Sequence, residues 1–414
     1  MTPSDFPTRL RAFAEVIVRV GLNLQRGQRL LIAEPYELQG VARTAGPIVE
    51  AIKTAAGCAT EVIWGDATRL REFAHKKDWS GFTRLVAENA VKMGASVRRG
   101  DALLLLQGSE TNLMHGIPSD RVAELRRIAW DHYGPIARQL LAGATQWTVA
   151  PAPSPTWAEA VFADLPGEQR LAALWDTVFE SLRIPQGSET SAQAPESPVA
   201  TWQTHLLALQ RHRDELNRRR LRTLHYRSPG TDLTIQLPAQ HTWCTACLTT
   251  AAGVPFVANL PTEELFTVPH RDSAEGKLRV TRPINYGGAV IDGIELEFRR
   301  GEVVNCTAKN GDSLLRQLLS TDEGACRLGE VAVVITNLAD LAVPGSRSPI
   351  AACSAWHESG RLYYHPLLDE NASDHVALGE SYGFCLRSPN VAAANHSLIH
   401  VDLSLNAGRI FGPR

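Results

Sequence analysis

Seven cysteines in 414 residues, an odd number spread from Cys58 to Cys385, provide no disulfide framework. Buried thiols are expected instead. The C-x-x-C pair Cys244 and Cys247 is followed by no second pair at zinc-finger spacing, which favours packing over metal or redox chemistry there. No run approaches the ~20 apolar residues of a membrane span. The N-terminus lacks a basic segment followed by an apolar core, so no secretory signal is expected and the chain is read as cytoplasmic. Charge of either sign is not in excess: 42 Lys and Arg balance 44 Asp and Glu, which leaves no electrostatic footprint for nucleic acid. The first half contains neither G-x-G-x-x-G nor G-x-x-x-x-G-K-[ST], so a nucleotide site has no specific support. Internal repeats are absent.

What is present is an ordinary soluble composition, 44% hydrophobic and 21% charged. The length exceeds one comfortable core and predicts two domains. Pro-Gln-Gly-Ser-Glu-Thr-Ser-Ala-Gln-Ala-Pro-Glu-Ser-Pro, between about residues 185 and 200, reads as a linker and places the boundary at 1–190 and 191–414.

The first part alternates helical periodicity with short continuous apolar runs. Helices are expected over 5–20, over 38–56 with a break at Gly46-Pro47, over 67–95 and over 119–141. Between them Gln28–Ala33, Thr60–Trp64, Asp101–Gln107 and Thr145–Ala150 read as strands. This predicts an α/β domain with a mostly parallel sheet covered on both faces. A polar helix over Trp202–Arg220, rich in Arg and His, follows as a solvated surface. Beyond it the pattern changes to alternation with Gly turns, as in Asp232–Leu237, Gly253–Asn259, Gly288–Phe298 and Gly301–Cys306. A helix near 311–319 interrupts it. The second domain is therefore expected to be α+β, rich in antiparallel β.

Four stretches in that second part carry polar chemistry. Asn259-Leu-Pro-Thr-Glu-Glu-Leu-Phe-Thr-Val-Pro-His270 sets Glu263 and Glu264 in an apolar run, where their charges need compensation. Leu-Gly-Glu330-Val-Ala-Val-Val puts one carboxylate before an apolar strand, where a lone Glu at a strand edge commonly faces solvent. In His400-Val-Asp402 the two polar residues project from one face of a strand while Ile399, Val401 and Leu403 turn to the core. Taken alone this pair reads as a hydrogen-bonded couple as readily as metal ligands. In Asp369-Glu370-Asn-Ala-Ser-Asp-His375-Val-Ala-Leu-Gly, a helix starting at Asn371 or Ser373 would bring His375 and Tyr382 onto one face. Glu370 would then lie at a helix entrance, where backbone amides favour its ionised form. Carboxylates at 264, 330 and 402 with imidazoles at 375 and 400 match the oxygen-rich ligation of two divalent ions, a pair suited to hydrolysis.

With these motifs in order, the chain resembles the aminopeptidase T and aminopeptidase S family of dinuclear metallo-aminopeptidases. Weaker likeness extends over nearly the full length, including Gly-Leu-Asn-Leu-Gln-Arg-Gly-Gln-Arg-Leu-Leu-Ile. The resemblance implies Glu264, Glu330, His375, His400 and Asp402 as metal ligands, Glu370 as a ligand or a neighbour of the metals, and Tyr382 as the active-site tyrosine. It implies an α/β N-terminal domain, a C-terminal catalytic domain, a homodimer, two divalent ions (zinc, cobalt or manganese) and short peptide substrates of leucine type. Glu263, facing away from Glu264 in a strand, stands as a supporting candidate. A two-metal phosphoesterase and a catalytically inactive metal- or peptide-binding relative are the alternatives. The connection 336–360 is longer than the family pattern and the chain ends early after Asp402, which bears on the substrate pocket more than on ligation.

Overall fold

The computed structural model describes residues 5–34, 40–186, 197–334, 356, 359–387 and 393–405, together with the backbone of 408–412. The expected linker therefore lies mostly outside the described residues, as does most of the long connection 336–360. The chain forms two compact units: Met1–Leu207, Ala246–Thr262 and Pro349–Leu367 make the first, and Ala208–Thr245, Glu263–Ser348 and Leu368–Arg414 make the second. Among the described residues no helix is long and apolar enough to cross a membrane.

The first unit is built on four parallel strands, β1 (Leu30–Ala33), β2 (Thr60–Val62), β3 (Ala102–Gln107) and β4 (Trp147–Pro151), in the order β2-β1-β3-β4. Every residue of β1 and β3 is buried, as the unbroken apolar runs require of strands covered on both faces. Helices α1 (Phe6–Val16), α2 (Gly46–Ala56), α3 (Ala67–Lys76), α4 (Trp79–Arg99), α5 (Ser119–Leu141), α6 (Pro155–Val161) and α7 (Gly167–Ser181) alternate with them. Helix α1 packs on α2, α4 on α5 and α6 on α7.

Two expectations change here for local reasons. Gly46-Pro47 opens α2 instead of breaking it, because proline in a first turn gives up a donor that has no intrahelical acceptor. The charged stretch 67–95 is two helices. Lys77 adopts φ +54°, and Asp78 starts a new helix by accepting the Gly81 amide at 2.9 Å, as Asp66 accepts Arg69 N for α3 at 3.1 Å.

Helix α8 (Pro198–Arg219) leads from one unit into the other. The hairpin β5 (Thr223–Ser228) and β6 (Thr231–Gln236) follows, of which the alternation pattern revealed only the second strand. Strands β7 (Cys247–Thr249) and β8 (Pro255–Val257) form a small ribbon in the first unit. The second unit holds the rest: β9 (Glu264–Thr267), β10 (Glu275–Arg279), β11 (Ile284–Asn285), β12 (Val290–Ile291), β13 (Glu295–Arg299), β14 (Glu302–Thr307), α9 (Asp312–Leu319), β15 (Leu328–Val334), β16 (His375–Gly379), β17 (His400–Ser404) and β18 (Gly408–Gly412). One antiparallel sheet runs β14-β13-β10-β6-β5-β18, and a second runs β17-β16-β15-β9. The residue pattern therefore reads correctly as a parallel α/β unit and a unit rich in antiparallel β.

Leu104, fully buried in the middle of β3, tests the first core. Leu104→Ala is expected to cost about 2–5 kcal/mol in a urea unfolding experiment. An unchanged midpoint would show that the parallel sheet is not the stabilising centre of its unit.

Candidate metal centre

Side chains alternate along a strand, and residues directly opposite each other on paired strands share a face. The register of the four-stranded sheet places Glu264 opposite Val334, His375 opposite Ala332, Glu330 opposite Ala377, Ala377 opposite Asp402, and Gly379 opposite His400. One face thus carries Glu264, Glu330, His375, His400 and Asp402 together. The opposite face carries Leu265, Val331, Val333, Val376, Leu378, Val401 and Leu403, all buried. Five residues spread over 139 positions of sequence meet through pairing alone, and all five sequence-predicted ligands are brought together.

Between the polar side chains the face is lined by Ala332 and Ala377, whose short side chains leave the space above the sheet to the ligands. Two glycines set the close approach of the strands. At Gly379 the backbone has φ +100°, and an added Cβ would stand 2.0 Å from the Ile399 carbonyl oxygen. Gly329 occupies the irregular step between Leu328 and Glu330, where a Cβ would stand 2.3 Å from the Gly379 carbonyl oxygen. Neither position has room for a side chain.

Two triads emerge, Glu264-Glu330-His375 and Glu330-His400-Asp402, with ligand atoms in each within 4.8 Å of one another. Glu330 belongs to both. His375 Nε2 lies 3.1 Å from Glu264 Oε2, and His400 Nε2 lies 3.0 Å from Glu330 Oε2 and 3.5 Å from Asp402 Oδ1. The other imidazole nitrogen is held by main chain in each case: His400 Nδ1 donates to the Glu380 carbonyl at 2.9 Å and His375 Nδ1 to the Ser373 carbonyl at 3.3 Å. A carbonyl only accepts, so both rings carry their neutral-state proton on Nδ1 and turn Nε2 toward the carboxylates. That is the tautomer a metal needs.

The electrostatics show what the site demands. Burial pushes the Glu330 carboxyl up against the pull of His400, and burial with the Asp402 and Glu264 charges pushes Glu370 well above the carboxylate range. Burial alone would lower both imidazoles. The hydrogen bond and charge of Glu264 instead raise His375 well above its ordinary value, and Asp402 and Glu330 do the same to His400. Burial also opposes the charge of Asp402, yet the His400 hydrogen bond and charge hold it at about 2. Crowded carboxylates that draw protons onto neighbouring imidazoles form a site built for positive charge, and the oxygen and imidazole donors suit divalent cations. The residues fit a metal.

Around the triads the structure corrects three readings. Residues 375–379 form strand β16, not a helix, so His375 and Tyr382 do not share a helical face. Tyr382 still reaches the site, its hydroxyl 3.1 Å from His400 Nε2, with its ring packed on Phe266 and stacked on Phe384. Glu370 ends the short helix Pro366–Glu370 instead of starting one, and its carboxyl is driven toward the protonated form. Glu330, which as a lone strand residue would face solvent, is 3% exposed.

Two positioning groups carried no sequence signal. Asn371, fully buried, accepts the Glu263 amide at 2.6 Å and donates to Glu370 Oε1 at 3.3 Å. Asp374 accepts the Val334 amide at 2.9 Å. Glu263 is itself fully buried beside the ligand it precedes. Cys244 packs with Cys385 and Phe266 beside the site.

The shifts set a pH profile for metal-free protein. Stabilisation from the raised imidazoles is complete below their unfolded value of about 6.5 and is lost as pH rises through their folded values. Glu330 and Glu370, raised as well, act in the same sense, while Asp402 matters only as pH falls toward its folded value of about 2. Chelated protein is expected to melt at a lower temperature near about pH 9 than near about pH 6, and added divalent metal to narrow the gap. A profile that rises with pH would contradict this charge arrangement.

The comparisons agree with the geometry. The thermophilic metalloprotease (M29) family model matches residues 6–410. Aminopeptidase T of Thermus thermophilus is 35% identical over 403 residues, covering 96% of this chain and 92% of that protein. Aminopeptidase 2 of Geobacillus stearothermophilus is 33% identical, covering 96% and 92%. The solved structure of wild-type AmpT from Thermus thermophilus superposes with a TM-score of 0.78 at 32% identity, over 96% of this chain and 92% of that one. The chain belongs to the thermophilic metalloprotease (M29) family, whose members use divalent metal.

Proposed function

We propose that this chain is a metal-dependent aminopeptidase that removes the N-terminal residue, of leucine type, from short peptides. The observation that carries the reading is the sharing of Glu330 by two ligand triads on one sheet face. Two divalent cations, zinc, cobalt or manganese, would be held by Glu264, Glu330 and His375 on one side and by Glu330, His400 and Asp402 on the other. Such ions supply Lewis acidity toward a scissile carbonyl and toward water. The names of the relatives favour a peptidase over a phosphoesterase, and the presence of every ligand and of Tyr382 argues against an inactive relative.

The chain's own groups divide the remaining work. Tyr382 has its phenol pushed well above the ordinary value by burial and by the carboxylates around it, so it keeps its proton near neutrality. It is placed to donate a hydrogen bond to the carbonyl oxygen as negative charge develops. Glu370 is held by Asn371 beside these residues, and Glu370 or Glu330 would carry a proton to the leaving amine. The free α-amino group of the peptide would bind a metal or a nearby carboxylate, which limits cleavage to the first residue. The second unit holds all of these residues and is the catalytic one in this reading. The family resemblance further supports a homodimer and a cytoplasmic setting.

Chelation is expected to abolish hydrolysis of leucyl-anilide, and one of the three metals, added back, to restore it. By elemental analysis Glu330→Ala should lose both cations, whereas Glu264→Ala should retain one; equal metal loss in the two variants would remove the shared-ligand assignment. Tyr382→Phe is expected to lower kcat about 10²–10³-fold with metal content unchanged and KM little affected. A rise in KM alone would make Tyr382 a binding group and not an oxyanion donor.

A further inference from the structure

Away from the metal face, the second unit contains a cavity of about 530 Å³ lined by Asn217, Arg220, Arg222, Gln236, His241 and Arg387. Three arginines line it, and among the described residues no carboxylate does. Elsewhere in the same unit arginines meet acids: Arg282 pairs with Asp369, Arg316 with Asp312, and Arg327 with Asp272. At the end of α8, Arg218 and Arg219 are both taken up by Glu215. Arg220, Arg222 and Arg387 have no such partner among the described residues. Arg222 Nε is shut off from solvent and meets no acceptor. An arginine with no acid beside it leaves its charge uncompensated, which a bound anion would offset.

The floor of the cavity is also polarised. His241 is 8% exposed, and its Nδ1 donates to the Pro238 carbonyl at 2.7 Å, which leaves Nε2 for another partner. The charges of Arg222 and Arg387 bear on this ring and add to burial in lowering its pKa. The walls are held in place by main-chain bonds, Arg387 N to the Gln240 carbonyl at 3.0 Å and Thr242 N to the Cys385 carbonyl at 2.7 Å.

We infer that this cavity is a binding site for a phosphate dianion, carried on a small organic molecule or free. Guanidinium groups recognise phosphate through charge-assisted, often bidentate hydrogen bonds, and a dianion with three terminal oxygens can engage all three at once. A monocarboxylate offers one charge and two oxygens. The cavity volume falls in the range of small-ligand sites and exceeds the needs of a single phosphate, which favours the organic ester as occupant. This inference does not rest on the peptidase reading.

Calorimetric titration of the full chain with ribose 5-phosphate and with inorganic phosphate tests it. Saturable binding is expected, weakened about 100-fold or more in Arg222→Gln/Arg387→Gln, with leucyl-anilide hydrolysis unchanged as evidence of folding. Arg387→Gln alone, at an exposed position, should weaken binding in the same direction and serves if the double variant does not fold. Phosphate also coordinates divalent metals, so Glu330→Ala should retain the binding. Tighter binding of the ester assigns the site to an organic phosphate, and equal or tighter binding of the free ion assigns it to inorganic phosphate. Absence of binding of either, equal binding by the arginine variants, or loss of binding in Glu330→Ala would overturn the inference.

Discussion

Everything in the second unit is subordinate to one electrostatic problem, the confinement of several carboxylates on the buried face of a sheet. Glu264, Glu330 and Glu370 are each at most 6% exposed, and Asp402 Oδ1 lies 3.5 Å from His400 Nε2. Desolvated like charges repel at short range and cannot all ionise without a compensating cation. Protons drawn onto His375 and His400 are a partial answer, since each proton sits between one imidazole and its nearest carboxylate. A divalent ion in each triad answers the same demand with more charge and without a titrating group. The metal chemistry of the family and the burial of these residues therefore have one cause.

The sheet around the ligands is shaped by that demand. Its back is Leu, Val and Val-rich, so the apolar free energy that holds the strands together comes from the face that does no chemistry. On the front, Ala332 and Ala377 keep the floor low, and Gly329 and Gly379 let the backbone of residues 379–380 and of Ile399 come in close. The same close approach brings the Glu380 carbonyl to His400 Nδ1 and so decides which imidazole nitrogen faces the carboxylates. Strand packing and ligand tautomer are not separable here. A larger residue at either glycine would move both.

How much of this was legible in the sequence follows the range of the interactions involved. The parallel sheet could be read because β1 and β3 are continuous apolar runs whose meaning is local. His400 and Asp402 could be placed on one face because a strand alternates with period two. Residues 371–379 misled because their local preferences do suit a helix: there is no proline, and Asn371 and Ser373 are good caps. What makes β16 a strand is pairing with β15 on one side and β17 on the other, and neither partner is near it in sequence. The same blindness to pairing made Glu330 look solvent-facing and hid β5, whose partner on one edge is the distant β18. The expectation that these five residues belong together came through the four ordered motifs of the family likeness, since no spacing rule links positions 264 and 402.

Asn371 shows what remains hidden when only chemistry-bearing residue types are sought. An amide is neither acid, base nor ligand of choice, yet this one bonds at both ends, to the main chain where β9 begins and to the carboxyl of Glu370. The strand that delivers Glu264 and the helix end that delivers Glu370 are thereby fixed to each other through a single side chain. Because Glu370 is pushed toward its neutral form, the position of its carboxyl, and not its charge, is what the surrounding structure must hold. A carboxylate anchored only by attraction to a cation would move whenever that cation changed its coordination. A carboxyl anchored by an amide keeps its place whether or not it carries a proton.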